Sequence, residues 1–123
     1  EDVRQMALSD PFHAVKAEVT QNVGAAELLA ARWQELEGKK GEGDERARLR
    51  QQLSDLLLGA AADLDDLEET ITVVESQRSR FRIDDAELTS RRGFVRSMRA
   101  LVDSIYRSVD LTPAAAAPAA SER

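Results

Sequence analysis

The stretch from Asp44 to Ser76, DERARLRQQLSDLLLGAAADLDDLEETITVVES, decides how this chain folds. Leu49, Leu53, Leu56, Ala60, Leu64, Leu67, Ile71 and Val74 recur in it at steps of three and four. That spacing brings side chains onto one face of an α-helix. Sustained over more than three heptads, it predicts a single long amphipathic helix at about 44–76, its stripe facing a core. Gly59 lies inside this helix, where glycine costs about 1 kcal/mol relative to alanine. The run Gly59-Ala60-Ala61-Ala62 therefore predicts that a neighbouring helix comes close there.

Towards the N-terminus, Phe12, Val15, Val19, Val23, Ala26, Leu29, Trp33 and Leu36 form a second stripe of the same period. Asp10 can cap the free amides at its start, and Pro11 suits the first helical position, so the first helix is placed at about 10–37. Gly38, Gly41 and Gly43 end the pattern with residues that accept left-handed backbone. Towards the C-terminus, Ser76 to Arg80 is polar and aperiodic and reads as a loop that ends at Phe81 and Ile83. Asp84 then offers an N-cap, Glu87 its capping-box partner, and Ile83 with Leu88 a hydrophobic staple. From Asp85 a third stripe runs through Leu88, Val95, Met98, Val102, Ile105 and Val109, giving a helix at about 85–109 that stops short of Thr112-Pro113. Residues 1–9 read as an N-terminal extension, 10–109 as one domain, and 110–123 as a flexible linker or tail rich in Ala and Pro.

Three rods of roughly 40 to 50 Å joined by short connections make antiparallel neighbours. The predicted fold is all-α, an up-down-up three-helix bundle with coiled-coil-like crossing angles near 20°. Composition agrees: of 123 residues, 33% are charged and 4% aromatic, with six Gly and three Pro, a balance that favours helices over strands.

The same inventory closes off several functions. Seventeen Lys and Arg against 23 Asp and Glu leave a net charge of −6, the wrong sign for a nucleic-acid partner. Cysteine is absent and His13 is the only histidine, so thiolate nucleophiles, Cys-ligated zinc and the paired Glu-x-x-His motifs of carboxylate bundles are excluded. There is no Gly-rich phosphate loop and no Ser-His-Asp set. No enzyme, cofactor, metal or small-molecule substrate is expected, and no apolar run approaches the roughly 20 residues of a membrane span.

Individual residues have plainer and sharper readings. Asp63, Asp65, Asp66, Glu68 and Glu69 look like a carboxylate cluster, but Leu64, Leu67 and Ile71 take the stripe, which leaves the acids a solvated face. Arginines in the second loop and third helix, Arg78 to Arg107, supply opposite charge that can set register more than stability. His13 reads as an exposed polar residue or a contact for a partner. Trp33 reads as a core anchor. Arg91-Arg92 either solvates its helix or receives an acidic group.

Taken in order, Asp10-Pro11-Phe12 with Val15, Lys16 and Glu18, then Trp33, then Asp63-Leu64-Asp65-Asp66-Leu67-Glu68-Glu69-Thr70-Ile71 with Val74, then Phe81, Asp84, Glu87, Leu88, Arg91 and Phe94, resemble the N-terminal (Habc-like) domain of the syntaxin-6 family of SNARE proteins over about residues 10–109. The resemblance implies a regulatory three-helix module followed in the whole protein by a linker, a Q-type SNARE helix and a C-terminal membrane anchor. It implies action in membrane fusion on the cytosolic face of the trans-Golgi network and endosomes. Implied partners are SNARE proteins and tethering factors, such as the N-terminal segment of a subunit of the Golgi-associated retrograde protein (GARP) complex. One departure stands out: Ala62 lies where family members often carry a Trp. A spectrin-like spacer repeat is the rival reading, disfavoured because Pro113 and the tail stop the third helix.

In an up-down-up bundle the start of the first helix, the end of the second and the start of the third share one pole. That pole would mix Phe12, Phe81 and Phe94 with Lys16, Arg91 and Arg92. Aromatic anchors with arginine are what a peptide-recognition surface uses, although phenylalanines there also serve simply to cap the core. The candidate protein-binding residues are Phe12, Val15, Lys16, Val19, Leu88, Arg91, Arg92 and Val95.

Overall fold

The computed structural model describes residues 11–111. These form α1 (Phe12–Glu35), α2 (Gly43–Ser76), a single turn α3 (Arg78–Phe81) and α4 (Asp85–Ser108). No strand occurs among the described residues, and the three long helices pack against one another as a bundle. At 1.5 Å per residue, α2 is about 50 Å long and α1 and α4 about 36 Å each.

The ends of the helices follow local chemistry, with corrections to the expected boundaries. Pro11 occupies the N-cap of α1 and accepts from the Val15 N–H at 3.3 Å, so the helix begins one place later than Pro11 at the first helical position would give. The predicted Asp10 cap lies outside the described residues, as do 1–9 and 112–123. Gly38 and Gly41 carry φ of 80° and 83°, the left-handed backbone expected of them, whereas Gly43 opens α2. The expected loop at Ser76–Arg80 contains the turn α3, closed by a 2.7 Å bond from the Arg82 N–H to the Arg78 carbonyl, with Arg82 at φ 57°. Four residues are too few to show a period, and half-buried Phe81 anchors the turn to the core.

Asp84 caps α4 as expected, its Oδ1 accepting from the Glu87 N–H at 2.8 Å. The Glu87 carboxylate is directed along the helix to Arg91 rather than back to the cap. At the other end Asp110, at φ 56°, donates its N–H to the Arg107 carbonyl, and Leu111 donates to the Tyr106 carbonyl at 2.9 Å. This is a Schellman closure. Arg50 of α2 fastens it by donating to the carbonyls of Val109 and Asp110, so two residues assigned to the tail are part of the helix stop.

Antiparallel order is visible in the contacts between helices. Going up α4, Arg92 pairs with Glu75, Arg99 pairs with Glu68 and Asp65 at 2.9 and 2.7 Å, and the helix end meets Arg50. The α2 numbers fall as the α4 numbers rise. At the shared end of α1 and α2, Arg32 reaches Glu45 at 3.3 Å, and Gln34 donates to the Ser108 carbonyl of α4.

The core keeps most of the predicted stripes and revises some members. On α2, Leu57 is fully buried while Leu56 is only half-buried, because three consecutive leucines leave the phase open and the step from Leu53 to Leu57 to Ala60 meets the neighbouring helices. Ala30 joins the α1 stripe, and Tyr106 and Arg91 join that of α4, while Met98 is only partly buried. Close approach falls on Ala60, which has no exposed surface. A Cβ at Gly59 would meet only Asn22 Nδ2 at 3.9 Å. Ala62 is exposed, so bundle packing makes no use of a ring there.

Three buried side-chain polar atoms lack a hydrogen-bond partner among the described residues, Trp33 Nε1, Arg46 Nε and Asp63 Oδ2, and the last opposes this packing. Asp63 faces α1 with Oδ2 buried and without a donor. Burial first, then the charge of Glu18, hold its carboxyl above the ordinary value of 3.8. A carboxyl raised in the folded state binds its proton more tightly there than when unfolded. Its penalty is therefore absent in acid and grows as pH rises through the folded value.

Two substitutions check this packing. Gly59→Ala is expected to raise stability by about 1 kcal/mol, or roughly 4 °C in thermal midpoint. A fall would mean that no room exists for the methyl group. Asp63→Asn is expected to stabilise the fold near pH 7, with the gain shrinking towards about pH 4 in urea titrations.

Candidate protein-binding pole

Residues from distant parts of the chain meet at the end of the bundle where α1 and α4 begin. Phe12, buried, stands edge-on to Phe94, their centroids 6.3 Å apart at 75°, and edge-on to His13 at 5.6 Å. The Arg91 guanidinium carbon lies 4.5 Å from the centre of the Phe12 ring, and Arg91 Nε donates to Glu87 Oε2 at 2.8 Å. Lys16 Nζ is 5.1 Å from the Phe94 ring centre and 5.9 Å from that of Phe12, bridging α1 and α4. Each cation over a ring contributes about 0.5–1 kcal/mol when exposed and about 2 when desolvated.

Arg91 departs most from expectation. Read as a surface cation, it is 2% exposed and among the largest fully buried side chains. The spacing held the signal: Leu88, Arg91 and Val95 lie at steps of three and four, so Arg91 occupies the rung between two core residues. A guanidinium is accommodated there because its flat face covers Phe12 while its edge meets a carboxylate.

The eight candidates therefore do not form one open surface. Phe12, Val19, Leu88, Arg91 and Val95 are buried, Val15 and Lys16 are half-buried, and Arg92 is exposed. Arg92 and Val95 line a groove between α2 and α4, away from Lys16. Phe81 faces another groove, of about 350 Å³, with Pro11 and Val73 and with Asp66 and Glu69 at its rim. What remains accessible on the α1/α4 seam is Lys16 lying over Phe94, with Val15 beside it.

The other readings resolve by position. Trp33 is a core residue at the far pole, covered by the Arg46 guanidinium at 3.9 Å from its ring centre. Of the acidic run, Asp65, Asp66, Glu68 and Glu69 are exposed as expected, and Asp63 is the half-buried exception. Among the described residues no cluster of His, Asp or Glu is arranged to hold a metal ion, and no helix is long and apolar enough to cross a membrane.

Against known proteins, residues 10–106 match the family model for the syntaxin 6/10/61 N-terminal domain. The chain is 36% identical to syntaxin-6 of Homo sapiens over 99 residues, covering 79% of this chain and 39% of that protein. It is 36% identical to syntaxin-10 of Homo sapiens over 102 residues, 81% of this chain and 41% of the other. Syntaxin-61 of Arabidopsis thaliana is 27% identical over 100 residues, 81% of this chain and 40% of that one. The chain thus spans about two-fifths of the length of these curated relatives.

The pole's construction predicts opposite behaviour for adjacent arginines. Arg91→Ala is expected to lose about 2–4 kcal/mol in urea unfolding, as a large core truncation does, whereas Arg92→Ala stays within about 1 kcal/mol of the parent. Equal losses would contradict the burial described.

Proposed function

The chain belongs to the syntaxin 6/10/61 N-terminal family, a family of non-enzymatic SNARE domains, and from that premise we propose that it serves its whole protein as a docking module for tethering factors. The family match over residues 10–106 carries this reading. Membership implies vesicle trafficking, and the proposed setting is the cytosolic face of trans-Golgi and endosomal membranes. There the module would recruit a GARP-type tether or regulate assembly with other SNARE proteins. The Schellman stop at Asp110 and Leu111 supports this reading over a spacer array, since α4 closes instead of running on into another repeat.

The proposed contact is the α1/α4 seam at the pole. Phe12, Phe94 and Arg91 supply a rigid floor, and Lys16 with Val15 supplies the accessible edge. A floor locked by ring and cation contacts costs little ordering when a peptide binds. Lys16 is half-buried and makes no ion pair among those described, so replacing it forfeits its ring contacts alone, about 1–2 kcal/mol.

A pull-down of tethering-complex subunits tests the reading. The parent domain is expected to recover a subunit, and Lys16→Glu, shown folded by circular dichroism, to recover at least fivefold less. Undiminished recovery would move the site elsewhere, and recovery of no tether by the parent domain would overturn tether docking.

A further inference from the structure

The described chain begins at the wall of a groove. This groove, of about 350 Å³, is lined by Pro11, by Phe81 of α3, and by Asp66, Glu69, Thr70 and Val73 of α2. Val73 is 42% exposed, one of three large apolar side chains left exposed among the described residues, and Phe81 is half-buried. Asp66 and Glu69 are exposed and make no ion pair among the described residues. Like charges at i and i+3 repel, and a cation beside them relieves both. No lysine or arginine lines the groove; Arg80, whose guanidinium carbon is 6.0 Å from the centre of the Phe81 ring, donates to Gln77. A fitting cover is therefore apolar over Val73 and Phe81 and cationic at the α2 rim.

The chain carries such a segment next to the groove. Residues 3–8 read Val-Arg-Gln-Met-Ala-Leu, and Arg4 is the only cation among residues 1–10. Arg4, Met6 and Leu8 alternate, the spacing that puts side chains on one face of an extended chain. Ser9-Asp10-Pro11 is a turn sequence that can send the chain back along α2. Leu8 is three residues from Pro11 and Arg4 is seven, spans of at most about 11 and 25 Å. Val73 and Asp66, seven residues apart on α2, are separated by only about 10 Å. Arg4 can thus reach both acids while Met6 and Leu8 cross Val73 and Phe81. Glu1 and Asp2 fall beyond Arg4, past the acidic rim. Attachment at Pro11 also favours this occupant over a free peptide, because a short tether holds it at an effective concentration in the millimolar range.

We propose that this groove is the docking site of the chain's own residues 3–8, with Met6 and Leu8 covering Val73 and Phe81, and Arg4 paired with Glu69 and Asp66. The groove is separate from the seam that carries Lys16, so the assignment stands whether or not a tether binds there.

The test places a nitroxide on Gln5→Cys in the ¹⁵N-labelled full chain, which has no native cysteine, and reads the broadening of each amide. An undocked tether of six residues samples all directions within about 13 Å of Pro11 and broadens both sides of the pole alike. A docked segment is expected to broaden Glu69, Thr70 and Val73 about threefold or more beyond Arg91 and Phe94. Met6→Glu combined with Leu8→Glu should equalise the two sets. Arg4→Glu should reduce the difference about twofold, and adding Glu69→Arg should restore it. These positions lie on the surface or outside the bundle, so circular dichroism should show every variant folded. Equal broadening in the parent chain, a difference that survives the two glutamates, or no rescue by Glu69→Arg would each overturn the proposal. The same broadening from a nitroxide on a separate, unlabelled copy would overturn docking within one chain in favour of exchange between copies.

Discussion

Everything in this domain depends on the requirement that α2 bury one continuous stripe against two helices at once. Leu53, Leu57, Ala60, Leu64 and Leu67 have no exposed surface, and neither α1 nor α4 alone is wide enough to cover them. Apolar burial of this kind is worth about 25 cal/mol per Å² removed from water, and it has no preferred direction. The polar contacts therefore choose the register. Arg92 with Glu75, Arg99 with Glu68 and Asp65, and Arg50 on the closing turn of α4 act as stops along the seam. Each is worth little as stabilisation, but a one-turn slip would break all of them together.

Much of this was legible in the chain because long stripes with clean caps leave few alternatives. The extent of α2, the Asp84 cap and the left-handed glycines at 38 and 41 follow from periodicity and turn chemistry. What escaped has physical reasons. Leu56 and Leu57 are adjacent leucines, and only the tertiary neighbours settle which faces inward. The turn α3 is shorter than a helical period. Asp110 closes α4 in a backbone conformation usually left to glycine or asparagine, so nothing in the residue type announced it. Arg91 was hidden by its charge: a stripe searched for apolar residues passes over a cation that occupies the same rung.

The candidate site shows the same mixture. Convergence of the three chain segments at one pole follows from topology; the contacts of Phe12 and Lys16 with Phe94 join the starts of α1 and α4, and the groove shared by Pro11, Val74 and Phe81 brings in the end of α2. The division of labour among the residues does not follow from topology. Burial turns Arg91, Leu88 and Val95 into support, leaves Lys16 and Val15 as the edge of one surface, and places Arg92 on another. Membership in the syntaxin 6/10/61 N-terminal family supplies the trafficking context. The structure adds an aromatic seam edged by lysine at the pole.

The measurement that bears most directly on this account is a pair of spin-label distances, clean in a chain without native cysteine. Labels on cysteines introduced at His13 and Ser90, both exposed at the shared pole, should lie within roughly 20 Å, whereas labels at His13 and Arg107 should be longer by about 20 Å, since 17 residues of α4 rise about 25 Å along the bundle. Equal distances, or a longer His13–Ser90 separation, would contradict the up-down-up order that brings the starts of α1 and α4 to one pole.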